Sequence, residues 1–300
     1  MNIQKLINSR FGTGLALWIG NTTPAWLGYR VANLAARWIA SQRNLPMVRA
    51  VRANQWVVSG GKLQSEELDE VVLAVFKSNT RALYDFYHNL ERPKKSLEMM
   101  EFAPDFQLMF EKMKSGQFPA VAIAPHLSNF DLGGRALGQR GLSLQILSFP
   151  QPPGGYQWQN SIRQNWGLEL TPMSGESVQK ARERLRHGGV VLTGFDRPLG
   201  EAKIKPRFFG RLSALPVAYL TLALQTQVPV VIVAVIPNGK GTYQLIGLPP
   251  IEVETKKDRE ETLLYNAEKV LSVAEPLIRQ YHRSWSMFYP VWPEALEQMP

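Results

Sequence analysis

Hydrophobic positions in the first ninety residues recur at helical spacing. Leu27, Val31, Leu34 and Trp38 fall on one stripe while Arg30, Asn33 and Arg37 fall on another, which predicts an amphipathic helix from about Pro24 to Ser41. Thr23 is the expected cap, and Pro24 the first helical residue, where a missing N–H costs nothing. Such a helix either packs its stripe on the core or lays it in a membrane interface. A second helix is expected from a Ser65 cap to about Leu90, with Leu68, Val72, Val75, Leu83 and Phe86 in period and acidic residues in the first turn.

From Pro119 the pattern changes to short apolar runs alternating with helical stretches: Ala120 to Ala124, Leu144 to Ser148, Val190 to Gly194 and Val228 to Ile236. Alternation of that kind predicts a mainly parallel sheet with crossover helices. Tyr243 to Leu248 reads as one more strand, and Arg259 to Tyr281 as a helix with Leu263, Ala267, Val270, Leu271, Ala274 and Ile278 inward and Pro276 as a kink site. The uncharged stretch from Leu212 to Gly239 is long enough to span a bilayer, but Pro216, Pro229, Pro237 and Gln225-Thr226-Gln227 interrupt it. It reads as a buried helix followed by a buried strand. Gln151 to Gly155 is a loop. The expectation is an α/β fold, a mainly parallel central sheet flanked by helices, with residues 1–300 as one domain and 1–92 as its helical N-terminal part.

Composition narrows the chemistry. The absence of cysteine excludes a thiol nucleophile, a thiolate metal site and a disulfide framework. A formal net charge of +9 favours anionic partners such as nucleic acid, acidic lipid headgroups or phosphorylated cofactors. The run Phe11 to Gly20 after Lys5 and Arg10 lacks the small-residue cleavage site of a signal peptide, so it reads as retained.

The run Val121 to Ala124 leads into Pro125-His126-Leu127-Ser128-Asn129-Phe130-Asp131, with a helix expected from about Asn129. Ligands gather at strand carboxyl ends in parallel sheets, so His126 is placed to face a cleft. Asp131, in the first helical turn, is positioned to turn back and accept the Nδ1–H, leaving Nε2 to take a proton from a hydroxyl. On spacing alone the simpler reading, a histidine that merely ends a strand and an aspartate that starts a helix, is the stronger of the two. His88, His187 and His282 sit at comfortable structural places near helix ends.

The stretch resembles the first signature of the lysophospholipid acyltransferase superfamily, a histidine, four residues and an acid. Pro-His-x-x-Asn-aromatic-acid-Leu-x-Gly is similar to the branch of bacterial lipid A late acyltransferases and phosphatidylinositol mannoside acyltransferases. Phe195-Asp196-Arg197-Pro198, Phe208-Phe209-Gly210 with the run from Leu215-Pro216, and Trp285-Ser286-Met287-Phe288 with Val291-Trp292 resemble that branch in order, over roughly residues 20 to 295. Ala218 departs from a frequent glycine, and Phe130 from the commoner tryptophan.

The resemblance implies an O-acyltransferase that moves a fatty acyl group from acyl-CoA or acyl carrier protein to a hydroxyl of a phosphatidylinositol mannoside-like or lipid A-like acceptor. It implies His126 as base with Asp131, and Arg163, Arg197, Asn129 and Phe130 toward substrate. No permanently bound cofactor and no metal are expected. The partners it implies are an anionic membrane surface, with residues 1–92 associating at the cytoplasmic face of a bacterial membrane, and no nucleic acid. The competing reading is a non-catalytic lipid-binding protein on the same fold. Basic clusters at Lys180, Arg182, Arg184 and Arg186 and at Lys203, Lys205, Arg207 and Arg211 read as solvated faces or as headgroup contacts beside Trp26 and Trp38. They are scattered rather than built into a nucleic-acid motif.

Overall fold

The computed structural model describes residues 10–148 and 168–300. The described residues begin with four helices, Arg10–Thr22 (α1), Ala25–Ser41 (α2), Pro46–Val58 (α3) and Ser65–His88 (α4). After a short helix Pro93–Glu98 (α5) come Met100–Phe102 (β1), Pro104–Lys114 (α6), Ala120–Ala124 (β2), Phe130–Gln139 (α7), Leu144–Ser148 (β3) and Leu168–Pro172 (β4). Gly175–Arg186 (α8), Val190–Gly194 (β5), the small hairpin Arg207–Phe208 (β6) and Arg211–Leu212 (β7), and Ala218–Thr226 (α9) follow. Val230–Pro237 (β8), Tyr243–Gly247 (β9), Arg259–Gln280 (α10) and Ala295–Gln298 (α11) complete the order.

Seven strands form one sheet in the order β1-β9-β8-β2-β5-β3-β4. All neighbouring pairs are parallel except β8 with β9. The central strand β2 shows why both faces need cover. Val121 and Ile123 enter one core with Leu220 of α9 and Val270 of α10, while Ala120 and Ala122 enter a second core with Phe106 and Phe110 of α6 and Leu132 and Ala136 of α7. The small alanines let α7 approach closely, and Gly133 continues that fit: a Cβ there would lie 2.4 Å from Val235 Cγ2. The mainly parallel sheet flanked by helices is the architecture expected from the strand spacing.

Of the two packings expected for the apolar stripe of α2, inward on the core or outward, the structure shows its large residues turned outward. The face of α2 that packs on α4 is the small-residue stripe Gly28, Ala32 and Ala36. A Cβ on Gly28 would sit 2.0 Å from the Tyr84 ring, so only glycine allows this approach. The large apolar residues therefore point outward: Leu34 is 67% exposed, Trp26 60% and Trp38 52%. The caps also differ. Thr23 donates its hydroxyl back to the Ile19 carbonyl and Pro24 precedes the helix rather than starting it. Gln64, not Ser65, caps α4, its N–H donating to Glu67 Oε2. Among the described residues no helix is long and apolar enough to cross a membrane.

A buried carboxylate ties this helical region to the sheet. Tyr29 of α2 donates to Asp85 Oδ1 at 2.6 Å, and Tyr243 of β9 to Oδ2 at 2.5 Å. Burial pushes the Asp85 carboxyl above its usual range, and the two hydroxyl donors and Arg81 pull the other way. Tyr29→Phe removes one donor from a buried acid, so urea unfolding is expected to show a loss of about 1–2 kcal/mol.

Candidate functional site

The site follows from strand register. Ala124 of β2 pairs with Gly194 of β5, the last residue of each strand. Two residues beyond each of them the chain reaches His126 and Asp196, so equal offsets past paired strand ends bring the two side chains together. Asp196 Oδ1 accepts from His126 Nδ1 at 2.7 Å. Asp196 Oδ2 accepts the His126 backbone N–H at 2.8 Å and the Trp285 indole N–H at 2.7 Å. Gly194 leaves room for the ring, since a Cβ there would already meet His126 Cε1 at 3.3 Å.

Asp196 is fully buried. Burial alone would raise its carboxyl, but the charge of His126 and the hydrogen bonds from His126 and Trp285 outweigh it, and the carboxyl is held below its usual range. An ionised carboxylate only accepts, so Nδ1 carries a proton, and whenever the ring holds a single proton its lone pair is on Nε2. The ring is partly exposed, 29% of the side chain, and lines a cavity.

The loop carrying this ring is held from three sides. Ser128 adopts a left-handed φ of 52°, which turns the chain from strand to helix at some conformational cost. Ser128 N–H donates to Ser284 O, and Ser286 N–H donates to His126 O, each at 2.8 Å, on either side of a Leu127/Trp285 bridge. Asn129 caps α7 by accepting the Leu132 N–H at 3.2 Å while its amide donates to Ala82 O at 3.1 Å. Phe130 sets its ring edge-on to the imidazole, with centroids 5.2 Å apart.

The cavity measures about 620 Å³, within the range of small-ligand sites. Exposed Lys203 and Arg259 and partly buried His126, Asp131 and Arg197 mark its polar mouth, while buried Leu137, Leu168, Val233 and Leu245, with partly buried Ile146 and Leu192, give it an aliphatic wall. An imidazole with an available lone pair thus opens onto a largely aliphatic chamber. Such a site suits proton removal beside a long apolar substrate.

The sequence-predicted residues divide accordingly. His126, Asp131, Phe130 and Arg197 all line the cavity. The expectation that Asp131 accepts the Nδ1–H is corrected, because the ring's one Nδ1 proton goes to Asp196. Asp131 stands in the first turn of α7, beyond the kink at Ser128, whereas strand pairing delivers Asp196 directly to the ring. The expected substrate role of Asn129 is also corrected: it is 2% exposed, and both ends of its amide serve the backbone. Arg197 lies over the Tyr289 ring at 4.2 Å and donates to its hydroxyl at 2.9 Å. Arg163 and the loop Gln151 to Gly155 lie outside the described residues.

Sequence reasoning missed Asp196 as the partner of His126, and with it Trp285. The signal was present in the paired runs Val121 to Ala124 and Val190 to Gly194, each followed two residues later by a titratable side chain. The remaining histidines are structural: His88 Nδ1 meets Gly20 O at 2.7 Å, His187 Nδ1 meets Glu183 O at 2.7 Å, and His282 Nδ1 meets Gln55 Oε1 at 2.8 Å. Part of the first basic cluster is also spent locally, with Lys180 and Arg184 paired to Glu169.

A family model described as bacterial lipid A biosynthesis acyltransferase matches residues 11–293. Phosphatidylinositol mannoside acyltransferases from two strains of Mycobacterium tuberculosis, H37Rv and CDC 1551, are each 32% identical over 111 residues. The matched stretch covers 36% of this chain and 35% of either relative, so the chain matches about a third of their length.

Proposed function

The chain belongs to the bacterial lipid A biosynthesis acyltransferase family, and on that premise we propose that it moves a fatty acyl group from a thioester donor to a hydroxyl of a lipid or glycolipid. The single observation that carries this reading is the imidazole of His126, steered by a buried ionised carboxylate, at the mouth of an aliphatic cavity.

An alcohol is too weak an acid to attack a thioester unaided. Nε2 of His126 takes the hydroxyl proton as the oxygen bonds to the thioester carbonyl carbon. The resulting imidazolium is stabilised by Asp196. Collapse of the tetrahedral adduct breaks the carbon–sulfur bond, and the departing sulfur takes the proton back from the imidazolium, giving ester and free thiol. Backbone N–H groups in the first turn of α7 are the donors proposed to meet the oxyanion. Asp131 lines the same cavity.

The donor is an acyl-CoA or an acyl carrier protein, since both present a phosphopantetheine thioester. Arg197, Lys203 and Arg259 line the mouth where its phosphates would approach. Arg163 joins them on sequence grounds. A phosphatidylinositol mannoside is the first acceptor to test, because it gives the matched relatives their name. Incubation of the purified protein with radiolabelled palmitoyl-CoA and a phosphatidylinositol mannoside is expected to yield labelled, more acylated glycolipid. Absence of transfer to this acceptor and to a lipid A precursor, with either donor, would refute the reading.

The same function requires access to a membrane, here the cytoplasmic face of the bacterial membrane. Trp18, Trp26, Leu34 and Trp38 are all more than half exposed, and Arg30 stacks over Trp26 at 5.3 Å. Outward aromatic and aliphatic groups beside cations suit an interface with anionic lipid. The triple variant W26A/L34A/W38A is expected to bind phosphatidylglycerol vesicles about 100-fold more weakly in a sedimentation assay.

A further inference from the structure

The closing segment of the chain touches the site through a group that the reaction scheme leaves without a role, the indole of Trp285. Among the described residues Oδ1 of Asp196 receives only the ring N–H of His126, while Oδ2 receives two donors. Two of the three donors come from His126 itself, so they move with the loop they would have to hold. Trp285 is the third donor and comes from a different part of the chain. Its indole is 1% exposed and packs edge-on to Phe208 and Trp292, with centroids 6.3 and 6.5 Å away.

We propose that Trp285 is a positioning residue of the acyl-transfer reaction, its indole N–H fixing the plane of the Asp196 carboxylate and thereby the direction in which His126 presents Nε2. Two contacts support this beyond the bond itself. The residues on either side of Trp285 hold the loop carrying His126, through Ser284 O and Ser286 N–H, so one short segment anchors the carboxylate and the imidazole backbone together. Core filling alone does not require the N–H. Trp292, fully buried in the same aromatic cluster, has no hydrogen-bond partner for its Nε1 among the described residues. Of two neighbouring tryptophans, one spends its donor on the acid that steers the base.

The inference rests on His126 acting as the base, and the experiment separates the two claims. Steady-state kinetics with palmitoyl-CoA and a phosphatidylinositol mannoside are compared for Trp285→Phe and Trp292→Phe, each alone and on an Asp196→Asn background. Trp285→Phe is expected to lower kcat about 10- to 100-fold, with KM for both substrates within about twofold. Trp292→Phe, which removes similar packing, is expected to keep kcat within about twofold. On the Asp196→Asn background, Trp285→Phe is expected to add almost nothing, because the amide oxygen still accepts the indole N–H but no carboxylate is left for that bond to aim at the imidazole. An unchanged kcat for Trp285→Phe, an equal loss for Trp292→Phe, or a full additional loss on the Asp196→Asn background would each overturn the proposal. Should Trp285→Phe fail to fold, site-specific replacement by benzothienylalanine keeps the ring shape without the N–H and gives the same readout. Failure of the base assignment appears elsewhere, as turnover surviving in His126→Ala.

Discussion

His126→Ala is expected to lower acyl transfer by at least about 10²–10⁴-fold while leaving the melting transition within a few degrees of the parent. The magnitude is what a positioned general base contributes to proton transfer. The small effect on stability follows from where the ring sits. It is partly exposed at the cavity mouth rather than packed in either core. The residual cost comes from Asp196, a buried carboxylate that loses its ring partner but keeps the donors from Trp285 and the residue-126 backbone. Single-turnover transfer from radiolabelled palmitoyl-CoA, read with a thermal melt on the same sample, checks both halves. Transfer at the parent rate would remove the imidazole from the mechanism.

Asp196→Asn is expected to cost on the order of 10²–10⁴ in kcat, with substrate binding almost unchanged. An amide in place of the carboxylate offers an N–H donor where an acceptor stood, which drives the imidazole proton to Nε2 and turns the base lone pair away from substrate. The amide also stabilises the imidazolium less, since the negative charge is gone. Asp131→Asn, in the same cavity but not on Nδ1, is expected to lose clearly less. The comparison is made from kcat and KM of both variants with the same donor and acceptor. A larger loss for Asp131→Asn would return the orienting role to the acid within the histidine motif.

The sheet was readable because its strands are buried on both faces and stand out as short aliphatic runs, as at Ala120 to Ala124 and Val190 to Gly194. The strands Met100–Phe102 and Leu168–Pro172 were not, since a three-residue edge strand and a run carrying Glu169 and Thr171 give almost no period. Helix α2 was legible as amphipathic but its orientation was not. Which stripe turns inward depends on Tyr84, a residue on another helix that admits only Gly28.

The site divides along the same line. His126 is visible from its place after a strand, whereas its true partner lies seventy residues on and becomes adjacent only through the pairing of β2 with β5. Asp131, close in sequence, drew the assignment because local spacing is all a motif displays. Asn129 misled for a related reason: a polar residue beside a catalytic candidate looks like a ligand until its cap and its bond to Ala82 O are seen.

If the ring and the aliphatic cavity serve one reaction, a structure with a non-hydrolysable thioether analogue of palmitoyl-CoA will show it. The alkyl chain is expected inside the chamber lined by Leu137, Leu168 and Leu245, with the sulfur end beside Nε2 of His126. An alkyl chain seated elsewhere, or a sulfur remote from that nitrogen, would contradict it.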